Sequence, residues 1–344
     1  MPINSISLLK AQFKAALDTN GKVGDAAADK LIASVKENGV TNSERRQLRE
    51  QVIANADRFE PTAKAKLWDF IDNQAPSLLV DEKVVTGRSG AKDLDDPALP
   101  EKDRDKLSFD WTSGAVFKNG ASAADVEQGM LGDCYAMSAF AAVAAMQPEK
   151  ITEALKDNGD GTYTARFFDV TKTPKAEVHV TIDGELPTAA GSLRYARGAD
   201  RRELWVPLLE KAYAQWKGGY DVMGKGGSPG DVMAALTGNS GGQLPLAPGD
   251  EKDIHELLVF SLKDKHALVA STHGEDQDAM YTGTGIYAEH GYTVLGAEEK
   301  DGKLFVTLRN PWGEVEPGGN GKDDGVFKLE MKDFVKLYAN LFIC

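Results

Sequence analysis

The chain has 344 residues, 42% of them hydrophobic and 8% aromatic, a composition that suits globular folding with room for two compact units. Its formal net charge is −13 and its basic residues form no block, which disfavours non-specific nucleic-acid or anionic-membrane binding and leaves acidic loops open to a hard cation such as calcium. Two cysteines, Cys134 and Cys344, are too few for a disulfide framework. The start Met1-Pro2-Ile3-Asn4-Ser5 lacks a secretory pattern and no apolar run reaches about 20 residues, so a soluble, cytoplasmic protein without a membrane span is expected.

Residues 1–75 read as a small helical domain. Leu8, Leu9, Phe13 and Leu17, then Leu31, Ile32 and Val35, fall on helical spacing, with turns at Asn20-Gly21 and Asn38-Gly39. The stretch from Asp18 to Val23 is similar to the front half of an EF-hand loop. Aligned on Gly21, however, it puts Ala16 and Ala27 where the first and last acidic ligands belong, so a metal-free bundle is expected. Such a bundle could cover a cleft as a prosegment, serve as a docking module or be a passive extension. Residues 76–105, rich in Asp, Lys, Pro and Gly, read as a linker.

From residue 106 the pattern is mixed α/β, divided into a lobe at 106–240 and a second at 241–344. An apolar helix opens at Cys134 and runs to Pro148, with Asp133 placed to cap it. Trp205, Leu208, Leu209, Ala212, Tyr213 and Trp216 form a second helical stripe, and Pro207 is tolerated in its first turn. Glycines then crowd the chain between Gly218 and Gly242, where the boundary between the lobes is expected. Near the end Leu304, Val306 and Leu308 alternate as in a strand.

A cysteine acts as a nucleophile through its thiolate, which a helix N-terminus favours. Cys134 has that placement, inside Gln128-Gly129-Met130-Leu131-Gly132-Asp133-Cys134. A buried thiol alone requires neither the two glycines nor the upstream amide. Both serve to aim Gln128 and the Cys134 N–H at a developing oxyanion. Among five histidines, His290 is singled out by a hairpin. With strands at 290–297 and 303–310 and a turn centred on Lys300, His290 faces Asn310, whose carbonyl would orient the imidazole.

These segments resemble the calpain family of cysteine proteases. Gln128 to Cys134 matches its nucleophile motif, and Leu204-Trp205-Val206-Pro207-Leu208-Leu209-Glu210-Lys211-Ala212-Tyr213-Ala214 its central helix. Glu289-His290-Gly291-Tyr292-Thr293-Val294 and Leu308-Arg309-Asn310-Pro311-Trp312-Gly313-Glu314-Val315-Glu316 match its histidine and asparagine motifs. The resemblance covers residues 106–344 and implies a papain-like α/β (α+β) fold in two lobes. It further implies a Cys134–His290–Asn310 triad, Gln128 as oxyanion donor, Gly132 and Trp312 at the cleft, and protein or peptide substrates. Tyr135, Gly291 and Pro317 depart from the family's usual Trp, Ala and Trp. The C2-like and penta-EF-hand domains of larger calpains have no match. Other acyl transfers, deamidation or transglutamination, share this chemistry, and a non-catalytic module could share the fold. Oligomeric state is not written in the sequence.

The resemblance also implies calcium. One site would use the carbonyls of Lys118 and Gly120, the carboxylate of Asp125, and an acid from Asp200 or Glu203. A second would use Glu316 and Asp324, but Val326 replaces an acid there, so a weak or empty site is expected.

Overall fold

The computed structural model describes residues 91–189, 191–318 and 322–344, together with 13–15, 22–36, 48, 51–52, 55 and 58–73. The chain divides into two compact units, residues 1–82 with 318–323, and residues 83–317 with 324–344. In the first unit, helices α1 (Asp25–Lys36) and α2 (Pro61–Asn73) share a small core of Phe13, Leu31, Phe59, Ala63 and Leu67. Ala27, the last position of the EF-hand-like stretch, lies inside α1. Leu8, Leu9, Leu17 and the two Asn-Gly turns lie outside the described residues, as does the stretch 76–90.

Residues 91–106 differ from the linker expected at 76–105, because buried polar contacts fasten them to the second unit. Leu94 N–H donates to Asp183 Oδ2 at 2.7 Å, Asp96 pairs with the buried Lys211, and Tyr195 O–H donates to Asp103 Oδ2 at 2.9 Å. Leu99 is buried in the core.

The second unit has two lobes. The first is built on α3 (Cys134–Met146), α4 (Pro148–Ala154), α5 (Trp205–Lys217), the short α6 (Tyr220–Met223) and α7 (Pro229–Thr237). Helix α3 is buried from Tyr135 to Ala144 on all sides, since its alanines let neighbouring backbones approach closely. Small sheets flank these helices: β1 (Ser108–Trp111) with β6 (Glu185–Ala189) and β7 (Ser192–Leu193), β2 (Val126–Glu127) with β8 (Arg197–Gly198), and β3 (Leu155–Asp157) with β4 (Thr162–Asp169) and β5 (Ala176–Asp183). The glycine-rich stretch contains α6 and α7, which belong to the first lobe, and the second lobe's sheet takes over only at its end, from Gly242.

The second lobe is a six-stranded antiparallel sheet in the order β13-β12-β11-β10-β14-β9, covered by α8 (Glu251–Lys263) and α9 (Met331–Leu337). Its strands are β9 (Gly242–Pro245), β10 (Leu268–Thr272), β11 (Gly291–Lys300), β12 (Lys303–Arg309), β13 (Val326–Glu330) and β14 (Tyr338–Ile343). The continuous apolar run Ala267-Leu268-Val269-Ala270 has a simple reason. Ala267 and Val269 enter the first lobe's core, while Leu268 and Ala270 enter the second lobe's.

The β11–β12 hairpin differs from the expected register. Asp301 and Gly302 form a two-residue turn with φ of 53° and 72°, as an Asp-Gly pair favours, so the strands run on to Lys300 and Lys303. Paired residue numbers sum to 603 from Lys300 to Gly296, then to 602 at Val294 and Thr293, because Leu295 is an extra residue in β11. The offset matters for side-chain direction. An odd sum would put positions 290 and 310 on opposite faces; the even sum beyond the bulge puts them on the same face. His290 and Asn310 are thus diagonal neighbours rather than directly facing partners.

Candidate active site

Cys134 opens α3 and is half-buried. Asp133 occupies the N-cap position without capping: its side chain makes no cap hydrogen bond and is fully buried. It lies instead against Glu210 of α5 and the Gln128 amide. Burial lifts the Asp133 carboxyl to about 7, and burial together with the charge of Asp133 holds Glu210 well above the usual carboxylate range. The two acids therefore hold a proton near neutral pH, a pair hidden in the sequence by the apolar stripe around Glu210. Glycines bring the nucleophile loop against neighbouring backbone. A Cβ on Gly129 would lie 2.1 Å from the Tyr195 carbonyl oxygen, and one on the exposed Gly132 would lie 2.8 Å from that of Gly224.

His290 is buried just ahead of β11. Its Nε2 lies 2.9 Å from Asn310 Oδ1, which also accepts from the Trp312 N–H at 3.2 Å, while Asn310 Nδ2 donates to the Val315 carbonyl at 3.0 Å. An amide oxygen can only accept, so the imidazole proton belongs on Nε2 and Nδ1 keeps its lone pair. Two non-glycine residues with left-handed φ flank the pair, Glu289 at 49° and Val315 at 62°. For β-branched Val315 this is strained backbone, and its carbonyl is the one that fixes the Asn310 amide. Trp312 packs on the His290 ring with centroids 4.7 Å apart, and Tyr287 and Tyr292 complete an aromatic surround.

The two halves meet at Gly291. Its N–H and that of Tyr135 point at the Cys134 sulfur. Burial pushes the thiol up to about 11, with the charge of Asp133 adding to it and these two N–H groups opposing it. Burial lowers His290 to about 4, with the Asn310 hydrogen bond opposing. Both directions favour the neutral forms, a thiol at Cys134 and an imidazole at His290, before substrate arrives.

Gln128 Nε2 donates to the Leu131 carbonyl at 2.7 Å, and its main-chain N–H to Pro311 O at 2.8 Å. The same amide also lies against the Asp133 carboxyl, so its two N–H donors face the Leu131 carbonyl and Asp133, at the mouth of the nucleophile loop. The other histidines lie elsewhere: His179 is exposed on β5 beside Glu177, His255 is buried in α8, His266 follows that helix, and His273 faces the Lys336 carbonyl.

The carboxylates suggested for a cation are placed unequally. Asp125 Oδ2 accepts from the Ser122 N–H at 2.7 Å and the Trp205 indole at 3.1 Å. Glu203 Oε1 accepts from the Lys118 N–H at 2.8 Å. Burial raises both acids, and the charge of Asp125 raises Glu203 further, a repulsion that a cation would relieve. Asp200 is ion-paired with the Lys118 side chain instead. The exposed Gly120 adopts φ 86° with open space around it. This donor set fits a hard cation. At the other suggested site, Glu316 Oε2 accepts from the Gly325 N–H and Asp324 Oδ1 from the Val326 N–H, both at 3.1 Å, and Asp324 already feels the Arg309 charge. Val326, where an acid would belong, offers no side-chain ligand there.

The family model described as Calpain family cysteine protease matches residues 106–323. The chain is 30% identical over 293 residues to Calpain-9 of Rattus norvegicus, covering 74% of this chain and 42% of that protein. It is 28% identical over 335 residues to the Calpain-type cysteine protease ADL1 of Oryza sativa subsp. japonica, covering 87% of this chain and 14% of that one. The match to the Calpain-type cysteine protease DEK1 of Zea mays is 29% over 259 residues, 67% and 12%. The chain thus spans less than half the length of these relatives. Among solved structures, digestive procathepsin L 3 of Tenebrio molitor larval midgut aligns with TM-score 0.30 and 13% identity, covering 98% of this chain and 99% of that one, too distant to weigh in the assignment.

Proposed function

The chain belongs to the calpain family of cysteine proteases, with a papain-like core, and from that premise we propose that it is an endopeptidase whose nucleophile is Cys134. His290 Nδ1 takes the thiol proton as sulfur attacks the peptide carbonyl, giving a tetrahedral oxyanion. The Gln128 side-chain amide, turned from Asp133 toward the developing charge, and the Cys134 main-chain N–H bind that oxyanion. His290 then returns the proton to the leaving amine, and water, activated by the same nitrogen, hydrolyses the thioester. Asn310 holds the ring throughout. The observation that carries this reading is the His290 Nε2–Asn310 Oδ1 contact of 2.9 Å, since it leaves Nδ1 as the acceptor.

Calcium dependence is part of the proposal. Asp125, Glu203 and main-chain carbonyls of Lys118 and Gly120 would hold the ion, which supplies positive charge to a loop of oxygen donors. Asp125 lies three residues before Gln128, so ordering that loop also orders the oxyanion donor. The test is cleavage of an unstructured casein-like protein by wild type and Cys134→Ala, each with calcium and with a chelator. We expect wild type with calcium to cleave and Cys134→Ala to be inert. Cleavage by Cys134→Ala overturns the peptidase assignment. Full wild-type activity in excess chelator, with no calcium heat lost in Asp125→Ala by calorimetry, overturns the calcium dependence.

A further inference from the structure

Two buried polar residues on the sheet reach across to the nucleophile element, and neither has a part in the chemistry above. Thr293 of β11 and Arg309 of β12 are direct cross-strand partners. Their neighbours Tyr292, Val294 and Leu308 enter the second lobe's core, so by strand alternation Thr293 and Arg309 face the first lobe. Both are buried, Thr293 completely.

Each spends its donor on a main-chain carbonyl of the first lobe. Thr293 Oγ1 donates to the Ser138 carbonyl at 2.8 Å, one turn into the nucleophile helix. Arg309 Nη2 donates to the Val126 carbonyl at 2.8 Å, two residues before Gln128, with the Ala124 carbonyl at 3.5 Å. The charge of Glu127 supports the guanidinium, while burial lowers it to about 10, still fully charged near neutral pH. Arg309 Nη1 has no hydrogen-bond partner among the described residues, so the Nη2 contacts carry its hold on the loop.

We propose that Thr293 and Arg309 form a two-point clamp that sets the distance and angle between the nucleophile and its base. One point grips the helix that carries Cys134, the other the loop that carries Gln128. Along the chain, Thr293 is three residues from His290 and Arg309 is adjacent to Asn310. A shift at either grip therefore moves the acceptor nitrogen relative to the sulfur. These are positioning residues, and their role rests on Cys134 and His290 being the reacting pair.

The experiment uses the full chain carrying Cys344→Ser, so that Cys134 is the only thiol. Thr293→Val, Arg309→Met and Arg309→Lys are compared by kcat and KM on a casein-like protein, by thermal melting, and by the pH profile of Cys134 alkylation with iodoacetamide. Thr293→Val and Arg309→Met are each expected to lower kcat roughly tenfold or more, the rate equivalent of one lost buried hydrogen bond, with KM little changed. Their alkylation near neutral pH should slow by a similar factor, and the part of the profile that depends on proton transfer to His290 should shrink, leaving reaction through the buried thiolate at high pH. Arg309→Lys, which can still reach the carbonyl, should recover part of both. If Thr293→Val and Arg309→Lys keep wild-type kcat and profile, or if activity falls only with the folded fraction, the clamp is refuted. Should Arg309→Met not fold, the near-isosteric Thr293→Val decides alone. Alkylation needs no protein substrate, so a shifted profile in a chain that cleaves nothing would uphold the clamp while ending the peptidase reading.

Discussion

A Cβ on Gly291 would lie 2.9 Å from Ser138 Oγ and 3.4 Å from the Cys134 carbonyl oxygen. The residue after the base and a residue of the nucleophile helix therefore share one space, and the serine hydroxyl fills what a methyl at 291 would need. Gly291→Ala should crowd the junction at about 1–3 kcal/mol, the usual range for overpacking, and reduce turnover. Ser138→Ala should restore it in the double variant. A double variant no better than Gly291→Ala would show that the two positions are not coupled.

Asn310→Ala removes the acceptor of His290 together with the bonds to the Trp312 N–H and the Val315 carbonyl. Turnover should fall roughly 100-fold or more, as when other orienting residues are lost. Cys344→Ser should leave turnover near wild type. Its sulfur lies in a buried pocket, 3.1 Å from Thr237 Oγ1 and 3.4 Å from the Asn239 carbonyl, and a hydroxyl can make the same contacts. Steady-state kinetics on one protein substrate ranks the two variants; equal losses would contradict the assignment of Cys134.

The packing of residues 91–106 changes where the chain can be cut. A chain beginning at Leu107 would lack Asp96, Leu99 and Asp103, leaving Lys211 with one carboxylate, Asp183, and Tyr195 without its acceptor. It should melt well below a chain beginning at Ala91, or fail to fold. Only the Ala91 chain can then report whether the N-terminal bundle inhibits: higher activity than the full chain would mean inhibition, and equal activity would exclude it. Identical melting of the two truncated chains would show that 91–106 does not support the core.

The buried acids give a pH signature. Folding raises Asp133 from 3.8 to about 7 and Glu210 above 4.5, so the folded state binds their protons more tightly than the unfolded chain. Their contribution is fully present below about pH 4 and is lost as pH rises toward 7. His290, lowered from 6.5 to about 4, has the opposite sign, its contribution being present above 6.5 and lost as pH falls through 4. Glu210→Gln removes one acid and leaves His290 alone, so its melting temperature should gain on wild type as pH rises from about 5 to 8. A constant difference across that range would mean that the pair does not titrate there.

Much of this protein was legible in the chain itself. Apolar spacing in Trp205 to Trp216 and Leu304 to Leu308 marks a helix and a strand, because burial of one face repeats with the period of the backbone. The glycine-framed Cys134 and the Asn310-Pro-Trp segment mark the chemistry, because close backbone approach needs glycine and an oriented imidazole needs an acceptor. What the sequence could not decide is which residues meet at long range. Placing His290 and Asn310 on one face required the Leu295 bulge, an irregularity that sequence periodicity averages away. Arithmetic on the sequence centred the hairpin on Lys300, whereas the local preference of Asp301-Gly302 for a tight turn centred it further on. Setting Glu203 near Asp125 while Asp200 pairs with Lys118, and bringing Asp133 to Glu210, depend on packing within the first lobe, and aiming Thr293 and Arg309 at the Ser138 and Val126 carbonyls depends on how the two lobes pack. A charged or hydroxyl side chain has the same letter in the sequence whether it meets water or a buried carbonyl, and only the tertiary fold determines which.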